Sequence, residues 1–586
     1  MTSLNFGALA SRRKELLLLS VVSLSIVILA FPVNRSVATP SAVQPLQLIP
    51  QLPIFLIVFL AWLVMTLSMA MYSKENRKVM AFCVGLYAVV FVGFWTKFTY
   101  QSTYQEYSYA QTSFMLGSGH LPLSIAQFIY RGYPSLDLVT GFLKLVSGAY
   151  LFAVGSSIMV VLGAIFAITI FLAYERIVGN SRLAFLSAVL LLTGDQVITQ
   201  NGSLLWGSVL SFPLLALLLF FYTAGFRSKG RLISSLTVFV TLTLCYLPAA
   251  AMFLGFATVH FLLTRRDPFP LFSYALVFVL SNVMFSLTQF STVILWVSSQ
   301  ISNYVRDPVA TLFSTLYNPV RVASGGLRVP LWGQVTELFW VVVLVPIGLL
   351  ASATLVAISW RRLSISRADY WLISGLVVSV LGAVLGGLLI ANGNQLLVRL
   401  LEYVPFFTIP FLVKIAAGLK LGRTKLGLAV IFLILLILPL PTFLIDHKSE
   451  TVLIDSQATF DSYAFASQRT QTPANRYIFS SDIDSTGLNL YFFPNATYFN
   501  EGDGAYTAAG ANVSSAWISL SRTVSEFIHF GTGSAVYIWS PKMYSQMDTF
   551  YGVLPSDPNW ALIQYTIGSG ASLVYSNGNN YIFSPS

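Results

Sequence analysis

Five acidic side chains, Glu106, Asp137, Asp195, Asp307 and Glu337, stand near the ends of long apolar runs in a chain where charge is scarce. A carboxylate at such a boundary can accept a proton from an acceptor group or orient a divalent cation such as Mg or Mn. Glu106 is the first candidate for both tasks, with Asp137 a second catalytic candidate and Asp195 a second metal candidate. Arg399, in Arg399-Leu-Leu-Glu402, is the cation set most deeply in an apolar segment. An ionisable group placed there is costly and so carries a functional hypothesis, here stabilisation of a departing phosphate, with Glu402 beside it. Arg131, Tyr133 and Arg306 are further candidates for contact with a phosphate or a sugar.

Each assignment has a plainer alternative. Arg399 and Glu402 are spaced i, i+3 and could pair on one helix face, or Arg399 could extend to the interface. Glu106 could be a hydrated residue at the start of an interfacial helix, and Asp137 could cap the helix entered after Pro134. Tyr130 and Tyr133 fit an aromatic belt, and Arg306 lies in a long connection that suits a lid or clamp. His120, after a Gly-Ser-Gly turn, reads as a loop residue, and Asp482 with Asp484 as a solvated turn.

The elements that must position these groups follow from composition. Of 586 residues 56% are hydrophobic and only 9% charged, against about 25% charged in a soluble domain. A hydrocarbon core needs roughly 20 apolar residues per helix, and about thirteen segments qualify. They lie near 16–33, 53–72, 79–96, 150–174, 183–198, 203–224, 231–246, 248–264, 270–297, 331–359, 370–391, 395–419 and 426–445. Arg12, Arg13 and Lys14, then Lys74, Arg77 and Lys78, and further groups to Lys420, Arg423 and Lys425 fall on alternate connections. Those connections are cytoplasmic by the positive-inside rule, which puts the amino terminus inside and the polar tail outside.

The formal charge of +11 suggests nucleic acid only until it is divided. Residues 1–445 hold 28 bases and 11 acids, whereas 446–586 hold 5 bases and 11 acids. The chain therefore reads as a membrane domain, 1–445, with an external loop at 97–149, and an extracytoplasmic domain, 446–586, with no nucleic-acid partner. In the latter, Tyr477–Ser481, Ala535–Trp539 and Trp560–Tyr565 read as strands, and Ser456–Arg469 and Ser514–Phe530 as amphipathic helices. Asn577-Gly578 is a tight-turn pair that predicts a closing hairpin. The alternation predicts a small α/β fold. Cys83 and Cys245 both lie in apolar segments, so this domain has no disulfide.

The external loop carries Tyr104-Gln-Glu106-Tyr, Leu116-Gly-Ser-Gly-His120, Tyr130-Arg-Gly-Tyr-Pro134-Ser-Leu-Asp137 and Leu143-Lys-Leu-Val-Ser-Gly148. An acid, a short helix, a Gly turn, a Tyr-Pro and a second short helix in this order resemble the first external loop of the GT-C superfamily of polyprenyl-phosphate-dependent glycosyltransferases. Arg399-Leu-Leu-Glu402-Tyr looks like the segment those enzymes use near the lipid phosphate. The family usually places Asp at the first-loop position, often beside another acid, and Glu106 stands alone in Gln-Glu-Tyr.

The resemblance implies a polytopic α-helical membrane protein of the cell envelope with a C-terminal extracytoplasmic α/β domain. It implies transfer of a sugar from a polyprenyl-phosphate-linked donor to a glycan, lipid or protein acceptor among membrane lipids. Two other readings stay open on the residues alone: a transporter or lipid flippase, and a non-catalytic envelope scaffold. Breaks at Pro213, Pro248 and Pro346 without an internal repeat do not favour a transporter.

Overall fold

The turns between helices are written in single residues. The computed structural model describes residues 77, 80–85, 88, 103–119, 135–149, 151–194, 207–225, 228–264, 268–285, 298, 302, 306, 367–390, 403–418, 457–469, 477–480, 497–500, 527, 535–539, 566–568, 570–576 and 581–585. Within them α1 is Thr103–Ser118, α2 Ser135–Ser147, α3 Leu151–Val178, α4 Ser181–Gly194, α5 Gly207–Ala224, α6 Lys229–Cys245, α7 Leu247–Thr264, α8 Phe269–Phe285, α9 Arg367–Ile390 and α10 Val404–Gly418. Helix α3 stops at Gly179, whose φ of +75° only glycine adopts readily and whose N–H returns to Glu175 O. Asn180 then starts α4, its Oδ1 accepting from Arg182 N at 2.9 Å and Leu183 N at 3.1 Å. Tyr246 is the one extended residue between α6 and α7, matching the break expected between 231–246 and 248–264.

The predicted spans at 150–174, 183–198, 203–224, 270–297, 370–391 and 395–419 correspond to α3, α4, α5, α8, α9 and α10. Those at 16–33, 53–72, 331–359 and 426–445 lie outside the described residues. Among the described residues, Ser157–Val178 and Leu247–Thr264 are long and apolar enough to cross a membrane. Hydropathy alone does not separate such a helix from a buried core helix, and exposure of the side chains is a second observation. On α8 the exposed residues Phe269, Phe272, Leu276, Val279, Leu280 and Val283 recur at helical spacing as one outward apolar stripe. An apolar stripe of that extent is a contact surface for lipid or for another apolar element.

Inward, α3 packs along α5 and α4, and α9 along α10 and α7. The core is aromatic: Phe166 stacks on Phe406 at 5.4 Å, and Tyr222 meets Phe253, Tyr274 and Trp371 edge-on. At the ends bearing the basic connections, Arg77 pairs with Glu175 at 2.6 Å and Arg176 lies over the Phe220 ring.

The C-terminal part contains α11 Gln457–Arg469 and five strands, β1 Tyr477–Ser480, β2 Thr497–Asn500, β3 Ala535–Trp539, β4 Ala571–Ser576 and β5 Tyr581–Pro585. They form one sheet in the order β2-β1-β3-β5-β4, with β2, β1 and β3 parallel and β5 and β4 antiparallel. The expected helix at 456–469, the strands at 477 and 535 and the closing hairpin are present, while β2 was not anticipated. Trp560–Tyr565 and all but Phe527 of Ser514–Phe530 lie outside the described residues. Parallel strands need cover on both faces. Val536, Ile538 and Ile582 share a buried cluster with Tyr463 and Ala466 of α11, whereas Phe479, Tyr537 and Phe583 point to the opposite face, where Phe527 meets Phe479 and Tyr537.

Helix α1 reaches the bundle through Tyr109, which is buried over Gly155 of α3; a Cβ at Gly155 would stand 2.8 Å from Tyr109 Cε1. Gly155→Val is expected to cost about 1–3 kcal/mol by overpacking. A lowered thermal midpoint in detergent checks this, and an unchanged midpoint would show that α1 does not dock there.

Candidate active site

Of the segments singled out by their chemistry, the structure describes the two external helices α1, which bears Glu106, and α2, which bears Asp137, packed against each other. Helix α2 explains half of this. Asp137 in its first turn and Lys144 in its last complement the helix dipole, and Lys144 Nζ donates to Ala149 O at 2.6 Å beyond the closing Gly148. Its sequence is two-faced. Leu136, Asp137, Thr140 and Gly141 are buried, while Leu138, Phe142, Leu145 and Val146 face outward, with Leu145 71% exposed. A helix with that division is amphipathic, with one side on the bundle and an apolar side turned outward.

The buried side of α2 meets α1. Ser108 Oγ donates to Asp137 Oδ1, and Thr112, one turn along α1, acts on the same carboxyl. Gly141 leaves room for Thr112 and Leu116, whose nearest carbons would lie 3.5 and 3.6 Å from a Cβ there. The amide Nε2 of Gln111, on the same helix, is buried without a hydrogen-bond partner. Asp137 is 2% exposed, and this burial pushes its carboxyl up to about 7, against the opposing effect of the two hydroxyls. The acid is thus close to evenly divided between its two forms near neutrality.

Beneath this pair, Tyr109 and Leu136 share a buried cluster with Leu151, Met159, Val209, Leu210 and Cys245, and with Tyr463 and Val536 of the C-terminal part. Asp137 lies within electrostatic reach of Cys245, the last residue of α6. The next residue, Tyr246, has its ring 6.2 Å from that of Tyr403, which follows Glu402 directly in the chain.

Of the residues expected to act, Glu106 lies in α1 two positions before Ser108, with its side chain outside the described residues. Asp137 is the expected acid whose surroundings are described, and Arg306 is helical and exposed. Arg131, Tyr133, Asp195, Arg399 and Glu402 lie outside the described residues, as do Asp307 and Glu337. Among the described residues no three His, Cys, Asp or Glu side chains gather as a metal site, and Asp137 directs one oxygen at Ser108. Ser108, Thr112 and Tyr403 were not singled out from the sequence. Their signal was available only as helical spacing, since 108 and 112 share a face.

The raised carboxyl of Asp137 sets the sign of a pH effect. Between about 4 and about 7 the folded protein holds a proton that the unfolded chain has released, so stability falls as pH rises through that window and levels off above it. Asp137→Asn, which keeps an acceptor for Ser108 and has nothing to ionise, should lack this fall. Thermal midpoints of both proteins from pH 5 to pH 8 test it; parallel curves would mean that the carboxyl is not buried.

No protein-family model matches this sequence, and no curated protein does. Among solved structures the chain is similar to ArnT from Cupriavidus metallidurans bound to undecaprenyl phosphate, with a TM-score of 0.48 and 13% identity over 88% of this chain and 99% of that one. It is similar to the Archaeoglobus fulgidus oligosaccharyltransferase tethered with an acceptor peptide, with a TM-score of 0.48 and 12% identity over 86% and 74% of the two chains. For ArnT in the apo state the TM-score is 0.36 and the identity 14%, over 82% and 93%. At these identities the chemistry of the site rests on the residues of this chain.

Proposed function

We propose that this protein is an integral membrane glycosyltransferase that takes a sugar from a polyprenyl-phosphate donor on the extracytoplasmic face. The observation that supports the reading is the pair of external helices docked on the apolar bundle. Helix α1, which bears Glu106, is fixed through Ser108 and Tyr109 to α2 and α3, and Tyr403, the first described residue after Glu402, has its ring 6.2 Å from that of Tyr246 at the end of α6. The outward apolar face of α2 keeps this layer at the lipid surface, where a donor with a hydrocarbon tail and a polar head must be met.

In this reading Glu106 takes the proton from the acceptor as its oxygen or nitrogen bonds to the sugar's anomeric carbon. The bond from that carbon to the phosphate oxygen breaks, its electron pair stays on the polyprenyl phosphate, and Arg399 stabilises the charge that develops. Asp137 works at one remove, holding α1 in place.

In protein that still folds, Glu106→Gln and Arg399→Ala should each lower transfer from a polyprenyl-phosphate sugar by about 100-fold or more. Transfer at the original rate in both variants would overturn the reading. Repeating the assay with a chelator separates two roles for Glu106: an unchanged rate marks a base acting alone, and a lost rate marks a carboxylate that orients a cation.

A further inference from the structure

Helix α3 carries an apolar stripe on its outer side that ends in a cation. Val161 and Ile165 are 57% and 45% exposed, and Thr169, one turn further, returns its hydroxyl to Ile165 O at 2.7 Å, so that it offers hydrocarbon to its surroundings. The partly buried Leu172 and the exposed Arg176 continue the line at helical spacing. On a helix rising about 1.5 Å per residue, Ile165 lies about 16 Å from Arg176, close to half of a hydrocarbon core roughly 30 Å thick. The stripe has the length of one leaflet, with its charge at the end that bears the basic connections.

The surroundings fix that charge and leave it uncancelled. The Arg176 guanidinium lies over the Phe220 ring of α5, 4.5 Å from its centroid, and a guanidinium resting on a ring keeps its N–H donors for another partner. Those donors match two oxygens of a phosphate. Glu175, the acid beside it in the chain, is engaged elsewhere: Oε2 pairs with Arg77 at 2.6 Å, and Oε1 accepts from Ser181 at 2.6 Å. Arg77 and Glu175 neutralise each other, so the positive charge of the three side chains stays at Arg176. The start of α4 next to it does not serve an anion, because Asn180 Oδ1 already accepts from Arg182 N and Leu183 N.

We propose that this edge of α3 and α5 is a binding site for an anionic phospholipid, with the headgroup phosphate on Arg176 and an acyl chain along Leu172, Thr169 and Ile165. Charge decides the occupant. An apolar helix would cover Val161 and Ile165 but gains nothing from a cation at the end of the stripe, whereas a phospholipid places its phosphate just beyond its hydrocarbon. A zwitterionic headgroup brings its own cation to that phosphate, so Arg176 adds most to a lipid whose phosphate is unneutralised. The site lies at the opposite end of α3 from Gly155, where Tyr109 of α1 docks, and it is independent of the sugar transfer proposed above.

The test uses the full chain in mild detergent, with equimolar phosphatidylglycerol and phosphatidylcholine of the same acyl chains as probes and bound lipid counted by native mass spectrometry. The unsubstituted protein should retain phosphatidylglycerol in preference. Arg176→Gln should lower that preference about fivefold, the scale of one basic side chain at a charged membrane surface. Phe220→Leu, which removes the ring under the guanidinium, should lower it about twofold and carries the test where Arg176→Gln does not fold. Arg231→Gln, an exposed base at the start of α6, should leave the preference unchanged. Equal retention of the two lipids by the unsubstituted protein overturns the proposal, as does an unchanged preference in the Arg176 and Phe220 variants. A loss in Arg231→Gln as large as that in Arg176→Gln also overturns it, since the attraction is then that of the whole basic end. Undecaprenyl phosphate forms a third arm: if its retention depends on Arg176 and that of phosphatidylglycerol does not, the occupant is a polyprenyl phosphate and the proposal fails.

Discussion

Inside an apolar bundle a hydroxyl or carbonyl has no water to turn to, and the described helices arrange their polar groups accordingly. Thr169, Thr243, Thr258 and Ser374 return their hydroxyls to the carbonyl four residues earlier, which hides each group against its own helix. Where a hydroxyl cannot be hidden in this way it joins two helices. Ser235 and Tyr274 lie 2.5 Å apart between α6 and α8, and Ser211 and Tyr403 do the same between α5 and the start of α10. Such pairs fix helix register more sharply than hydrocarbon contacts, because lipid competes for apolar surface but offers no partner to a hydroxyl.

The same constraint governs the external layer. Asp137 is the costly group there, a carboxyl taken out of water with the hydroxyls of Ser108 and Thr112 beside it. That arrangement suits an acid that is protonated much of the time and ties two short helices together. Helices of 16 and 13 residues would be marginal alone. They persist because one side of the pair is buried on α3, α5 and α6.

The C-terminal sheet enters the same buried cluster through Tyr463, Ala466 and Val536. An α/β layer without disulfides is stabilised by its own two faces, and contact with Tyr109 and Leu136 adds a wall beside the external helices. Strand β2 was missed in the sequence because Thr497–Asn500 is four residues long and has no alternation, and only pairing with β1 makes it a strand.

Hydropathy by itself determined most of the described bundle, since α3 to α10 coincide with apolar runs and their breaks fall at Gly179, Gly225 and Tyr246, where glycine or a short extended residue ends a helix. It also determined that charge would be rare and that Glu106, Asp137 and Arg399 were the groups to examine. What it could not determine was which helix each would face. Asp137 looked like a cap or a catalytic acid, and only the packing of Gly141 against Thr112 and Leu116 shows it turned inward onto Ser108. Pro410, which the sequence reading passed over, deprives the Phe406 carbonyl of a partner within α10, and only the approach of α3 shows Tyr174 donating to it. Period and hydropathy are properties of one segment, whereas the partner of a buried polar group is chosen by whichever distant segment the fold brings beside it.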